Sequence, residues 1–186
     1  MLQWELAAVP VIVIGGALLH FLFEQSGRCA FVGVFAPVNE SPWEHLKMAY
    51  WPALAFTGVQ AVATDPPAGI ATAKIVAFTI TAATLLGLDR VTRTVEFPSV
   101  AVEVGAHLAT FTAAVMVVQL GGYGVERATT TGFGAGGFAL LGLPAALFVI
   151  ATFRPPRRSL FRDPITGCYG INRQARPSSA SGPRNR

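Results

Sequence analysis

Residues 6–23 read LAAVPVIVIGGALLHFLF, a run of 18 residues without a single Asp, Glu, Lys or Arg. A helix that crosses a bilayer needs about 20 mostly apolar residues, because the hydrocarbon core is about 30 Å thick and each residue rises about 1.5 Å. The run is preceded by residues 1–5, which contain no basic residue, so it does not resemble a secretory signal peptide. It predicts a first membrane-spanning helix.

Four further windows have the same character, and they occupy residues 46–63, 69–88, 100–120 and 133–153. Only 13% of the chain is charged and the mean hydropathy is +0.51, whereas a soluble domain carries about 25% charged residues. We therefore predict an all-α integral membrane bundle of about five transmembrane helices. The predicted organisation is a transmembrane domain over residues 1–153, a basic and turn-forming juxtamembrane segment over 154–170, and a disordered basic tail over 171–186.

The basic residues indicate an orientation. Eight of the 14 Lys and Arg residues follow position 153, and with five spans the first loop and the third loop lie on the same side as this tail. Cytoplasmic segments carry an excess of Lys and Arg, so the N-terminus is predicted outside and the C-terminus in the cytoplasm of a multi-pass inner-membrane protein. The expected partners are the lipid bilayer and, at the tail, anionic headgroups. The confinement of the basic excess to the tail argues against a nucleic-acid partner.

Several ionisable residues lie within or beside the spans, where each costs at least about 2.5 kcal/mol on insertion scales. A spacing of four places two residues on one face of a helix. Three pairs have this spacing: His20/Glu24, Glu40/Glu44 and Glu103/His107. The predicted orientation places all three pairs near the cytoplasmic side, which predicts that they converge on one polar site.

Imidazole and carboxylate groups are the ligands of zinc and non-haem iron. The metal ligands would be His20, His45 and His107, with Glu103 as a further ligand, and Glu40 or Glu44 would act as general base on a bound water. The same residues also fit a proton or cation pathway, or hydrogen bonds that hold helices together. Ser41 and Glu44 also match a helix capping box, in which Glu44 would have no chemical role.

The stretch from Phe35 to Lys47, FAPVNESPWEHLK, resembles the Pro-Val-Asn-Glu-Ser-x-Trp-Glu-His-Leu-Lys signature of a prokaryotic family of small polytopic membrane proteins of unknown function. Residues 161–170, FRDPITGCYG, resemble a second block of that family. The resemblance extends from residue 1 to about 170 and brings no activity, metal or substrate with it. It implies that one group of residues acts as a unit: Asn39, Glu40, Ser41, Trp43, Glu44, His45 and Lys47.

The leading functional hypothesis is a metal-dependent membrane enzyme, hydrolase-like, that acts on a lipid-like substrate from the inner leaflet. A proton- or cation-coupled transporter is an alternative, although five spans without a detectable inverted repeat are unusual for a carrier. A non-catalytic subunit or assembly factor of a membrane complex is the third. A homo-oligomer and a larger membrane complex both remain open as assemblies.

Overall fold

The computed structural model describes residues 2–64, 69–128 and 134–171. Over these ranges the chain is helical and forms no strand, so the predicted all-α class is confirmed. The helices, in chain order, are α1 (Leu2–Gln25), α2 (Val32–Phe35), α3 (Pro42–Ala63), α4 (Ile70–Thr92), α5 (Val100–Ala128) and α6 (Gly134–Phe153), followed by a single 3₁₀ turn at Ser159–Phe161.

The five long helices coincide with the five apolar windows. Among the described residues, α1, α4 and α5 are long and apolar enough to cross a membrane. In α6 the apolar stretch Ala139–Phe153 is shorter than a full span, and α3 begins with the charged residues Glu44 and Lys47. The chain is therefore compatible with a membrane protein, while the number of spans and their orientation stay predictions.

Side-chain contacts show that successive long helices run in opposite directions. Glu5, at the start of α1, contacts Gln60 near the end of α3 and Lys74 near the start of α4. His20, near the end of α1, stacks on His45 at the start of α3. We call the end with His20, His45 and the C-terminus of α6 the tail end, and the end with Glu5 the far end.

Helix α1 approaches α3 closely because glycines face the contact. A Cβ atom on Gly16 would lie 2.7 Å from the carbonyl oxygen of Met48, and one on Gly15 would lie 3.1 Å from Pro52. Small residues permit such approaches between membrane helices. This contact sets the rotation of α1, and so determines which of its residues face α3.

Much of the outer surface is apolar. Val62, Leu18 and Val117 are 90%, 68% and 68% exposed. Apolar patches of this extent on a chain mark a membrane or partner surface, which agrees with the hydropathy of the sequence.

The segment after α6 lies against the tail end of the bundle. The amide of Ile171 donates to the carbonyl of Thr152 at 2.9 Å, and the side-chain amide of Asn39 donates to the carbonyl of Gly170 at 3.0 Å. Gly170 has φ +58° and a Cβ there would lie 2.7 Å from the Thr152 oxygen, so glycine suits this position. The two blocks that resemble the family are thus in contact. The predicted disordered tail covers residues 171–186. Its first residue, Ile171, bonds Thr152 as described above, and residues 172–186 lie outside the described residues.

Candidate metal centre

Three residues at the tail end could hold one metal ion: His20 in the last two turns of α1, Glu40 in the loop before α3, and His45 in the first turn of α3. One ligand atom from each lies within 4.8 Å of the others, and all three residues are half-buried. Ligand atoms on tetrahedral zinc are about 3.3 Å apart, given zinc bonds of about 2.0–2.1 Å. Small side-chain rotations would therefore bring the three atoms onto one ion.

The contacts of His45 indicate what each of its two ring nitrogens carries. Nδ1 lies 3.1 Å from the carbonyl oxygen of Ser41, which can only accept, so Nδ1 carries a proton. Nε2 lies 3.2 Å from Oε2 of Glu40. A neutral ring would point its Nε2 lone pair at a carboxylate, which is repulsive, so Nε2 must carry either a proton or a metal ion. A histidine ligand whose other nitrogen donates to a backbone carbonyl is the usual arrangement in metal sites.

His20 supplies the second imidazole. Its ring stacks on the His45 ring with 5.8 Å between centroids, and its edge meets Phe21. Nδ1 of His20 is buried and has no hydrogen-bond partner among the described residues. A buried polar atom without a partner is costly, so Nδ1 of His20 is free to bond, and one of the two His20 ring nitrogens lies within 4.8 Å of Glu40 and His45.

Glu40 is held in its ionised form. The hydrogen bond from His45 lowers the pKa of Glu40 below the ordinary value, and the charges of His45 and His20 lower it further against an opposing effect of burial. The carboxylate is therefore available as a ligand at neutral pH.

The loop that carries Glu40 is fixed by its neighbours in the signature. The Ser41 amide donates to Oδ1 of Asn39 at 2.9 Å, and Asn39 in turn holds Gly170. Ser41 also caps α3, its hydroxyl accepting from the Glu44 amide at 3.4 Å. The cap places His45 in the first turn of the helix with its side chain toward Glu40.

Glu44 and Lys47 form a buried ion pair beside the site. Their side chains are 2% and 0% exposed and lie 2.6 Å apart. The Lys47 ammonium also donates to the Gly33 carbonyl at 2.8 Å and to the Thr152 hydroxyl at 2.7 Å, so its three donors have three acceptors. Oε2 of Glu44 accepts from the Val38 amide as well, at 3.0 Å. This network ties α3 to α6, to α2 and to the loop that follows α2. It also occupies Glu44, one of the two carboxylates that the sequence predicted as a general base.

The structure does not bring Glu103 and His107 into this group. Both are exposed on α5, and Nδ1 of His107 donates to the backbone carbonyl of Glu103 at 2.8 Å instead of to its carboxylate. Glu24 also lies apart, paired with Arg28 at 2.7 Å on the surface. Of the three predicted pairs, the structure therefore joins one member of the first with one member of the second.

Trp43, in the first block that resembles the family, packs against α6 and against the second block. Its ring lies 5.1 Å from Phe148 and 4.9 Å from Phe161, between centroids. It is therefore a packing residue at the tail end, close to the loop that carries Glu40.

Sequence reasoning missed a second polar cluster at the far end, which we call the far-end cluster. It comes from four helices that are distant in sequence, so no local spacing announces it. The sequence feature that could have indicated this cluster is the occurrence of ionisable residues within or close to the apolar windows. Its members are Glu5, Gln60, Lys74 and Glu126, and all four are buried.

The fold and the sites define the chain as an all-helical, membrane-compatible protein with ionisable groups buried at both ends of its bundle. It belongs to the family of unknown function DUF6512, whose profile matches residues 1–171. No curated protein and no solved structure matches the chain.

Proposed function

We propose that this chain is a membrane metalloprotein that holds one divalent transition-metal ion, zinc or iron(II), on His20, Glu40 and His45. The observation that carries the proposal is the geometry of His45. Its Nδ1 proton is committed to Ser41 while its Nε2 faces the Glu40 carboxylate. A cation between Nε2 and the carboxylate satisfies both groups.

The chemical nature of the three ligands limits which metals the site would bind. Two imidazoles and one carboxylate are typical of zinc in hydrolases and of non-haem iron(II), and in both cases positions remain open for water or substrate. No cysteine is part of the group, which disfavours thiolate-selected metals. We therefore expect zinc or iron(II) and not copper(I).

The reaction that suits this site is hydrolysis. A bound metal lowers the pKa of its water to about 7, which supplies hydroxide at neutral pH. Glu44 is committed to Lys47, so the second oxygen of Glu40 would be the nearest acceptor for the water proton. One carboxylate leaves a divalent ion with net positive charge, which favours an anionic substrate such as a lipid headgroup phosphate.

The predicted membrane position favours a lipid-like substrate. The site lies at one end of a bundle whose surface is largely apolar, so a lipid in the adjoining leaflet would reach it without leaving the bilayer. In the orientation predicted from the basic residues, this is the cytoplasmic leaflet.

Metal content tests the site directly. The full chain is purified in detergent without chelator, loaded with zinc or anaerobically with iron(II), and analysed by elemental mass spectrometry after removal of free metal. We expect near one equivalent in the wild type and a loss of most of it in His20→Ala and in His45→Ala. His107→Ala is the matched control and should retain the metal, because His107 lies outside the group.

Two results would overturn the metal site: a folded wild type that keeps no metal, or a His107→Ala variant that loses as much metal as His45→Ala. The hydrolytic role is tested separately. Metal-loaded protein is incubated with phospholipid vesicles and the products are analysed by mass spectrometry. A stoichiometric metal without turnover on any lipid class would leave the site in place and contradict the reaction.

A further inference from the structure

Among the described residues, the far-end cluster contains two carboxylates, those of Glu5 and Glu126, and one cation, that of Lys74. Glu5 accepts from the Lys74 ammonium through both oxygens, each at 2.6 Å. The two side chains are 2% and 8% exposed. The pair therefore neutralises itself within the bundle, and any further charge in the cluster has to be balanced by another group.

Glu126 is the surplus carboxylate. It is 4% exposed, and no described residue donates a hydrogen bond to it. Among the described residues, the charges acting on it are those of Glu5 on α1 and Lys74 on α4. Its neighbour Arg127 lies over the Tyr123 ring, 5.8 Å from the centroid.

The side chain of Gln60 supplies an independent observation about hydrogen bonding in the cluster. It is 0% exposed, and its Nε2 donates to Oε1 of Glu5 at 3.2 Å. A flipped amide would place two oxygens together, so the orientation is fixed by Glu5. The Oε1 atom of Gln60 is then left as a buried acceptor without a partner among the described residues. The cluster therefore offers a buried acceptor to which a protonated carboxylic acid can donate.

A cavity of about 40 Å³ lies directly below the cluster, between α1, α3, α4, α5 and α6. This is enough space for a water molecule, which needs at least about 10–15 Å³ by this measure. Polar side chains line part of it, which suits a hydrated cavity. They are Tyr50, Thr57, Lys74, Thr81 and Gln119.

We propose that the far-end cluster is a proton-binding site in which Glu5 and Lys74 stay ionised and Glu126 carries one exchangeable proton. A carboxylic acid is neutral and has a hydrogen-bond donor, which a buried carboxylate without a partner lacks. On release, the O–H bond of Glu126 breaks, the proton passes to water as hydronium, and the remaining carboxylate shares Lys74 with Glu5. This is the chemistry of a proton-exchange site, and it stands independently of the metal centre at the opposite end.

Infrared spectroscopy of the full chain in lipid tests the proposal. A protonated carboxylic acid has a C=O stretch that is separate from the amide and carboxylate bands and that shifts in D₂O. We expect this band in the wild type at neutral pH and its loss in Glu126→Gln. Glu103→Gln is the matched control, because Glu103 is an exposed glutamate on the same helix, and should leave the band unchanged.

Two charge variants test whether the proton count follows the charge balance. In Glu5→Gln the ammonium of Lys74 becomes available to Glu126, so the band should disappear although Glu126 remains. In Lys74→Met both carboxylates lose their cation, so the band should roughly double in area. These variants also keep the test informative if Glu126→Gln does not fold.

The proposal is overturned if folded wild type shows no carboxylic acid band, or if the band survives Glu126→Gln. It is equally overturned if the band survives Glu5→Gln, because the proton would then not depend on how Lys74 is shared.

Discussion

The molecule contains two buried glutamate–lysine pairs, one at each end of the bundle, and they differ in how completely they are satisfied. At the tail end, Lys47 has three acceptors and Glu44 has both an ammonium and a backbone amide. At the far end, Lys74 bonds Glu5 alone among the described residues, with Glu126 and the Gln60 oxygen left over.

This difference separates a structural pair from a site. A buried ion pair with all its hydrogen bonds made holds elements in place and has nothing left to bind. In a buried cluster with surplus charge and an acceptor that no described residue satisfies, binding a proton, water or ion is favourable, because unsatisfied polar groups are costly in the interior. The tail-end pair is therefore a structural support beside the proposed metal site, while the far-end cluster has the features that we propose for a proton-binding site.

The largest expected effect comes from breaking the tail-end pair. Lys47→Met should lower the free energy of unfolding by about 3–5 kcal/mol, because it leaves Glu44 buried without its cation. Equilibrium unfolding in mixed detergent micelles measures this. The double variant Glu44→Gln/Lys47→Met should recover part of the loss, and a loss below 1 kcal/mol in the single variant, on the order of a surface pair, would contradict a structural role.

Metal loading is the next largest effect. An ion present at about 100 times its dissociation constant should stabilise the wild type by about 2.7 kcal/mol. This metal-dependent increase in the free energy of unfolding should vanish in His45→Ala and persist in His107→Ala. It should also weaken below about pH 6.5, where protons compete for the imidazoles. An equal shift in His45→Ala would place the metal elsewhere.

Breaking the far-end pair should cost less than breaking the tail-end pair. Lys74→Met should destabilise by about 1–2 kcal/mol, because Glu5 keeps the Gln60 donor and can take up a proton in place of the ammonium. The same unfolding experiment compares it with Lys47→Met. A loss as large as that of Lys47→Met would erase the distinction between the two pairs.

The hydrogen bond between Lys47 and Thr152 should contribute about 1 kcal/mol to the free energy of unfolding. Thr152→Val keeps the shape of the side chain and removes the hydroxyl that accepts from Lys47 at 2.7 Å. Thr79→Val is a matched control, since Thr79 is exposed and bonds only its own helix. Equal stabilities of the two variants would argue against the network.

The surface pair between Asp89 and Arg93 should contribute least. Its side chains are 25% and 40% exposed, and exposed pairs typically contribute about 0–1 kcal/mol. Arg93→Gln should therefore change the unfolding free energy by less than about 0.5 kcal/mol. A larger loss would indicate that Asp89 has a further role near His45, on which its charge acts.

The helices could be located from the sequence because hydropathy is a local property. Each of the five apolar windows corresponds to a helix, and Ser41-Pro42-Trp43-Glu44 marks the start of α3 where the cap is observed. The candidate site was harder to predict from the sequence. Spacing alone selected the pair Glu103/His107 as strongly as the pairs His20/Glu24 and Glu40/Glu44, because a four-residue spacing shows that two residues share a face and not which way the face points.

The contacts that the sequence analysis did not predict join residues that are far apart in the chain. Lys74 and Glu5 are separated by 69 residues and Lys47 and Thr152 by 105, so neither contact leaves a pattern in the sequence. Lys74 lies inside the apolar window 69–88 and has no partner at a four-residue spacing, and Glu44 matched a helix cap and was also a candidate base.

Composition and hydropathy were enough to establish an all-helical, membrane-compatible chain, because the partition of apolar residues between water and lipid depends on each segment separately. The assembly of the sites depends on how the helices are rotated about their axes. That rotation follows from packing, such as the approach of Gly15 and Gly16 to Pro52 and Met48. It turns His20 toward His45 and leaves His107 on the outer surface, and side-chain packing between distant segments is not encoded in any single stretch of the chain.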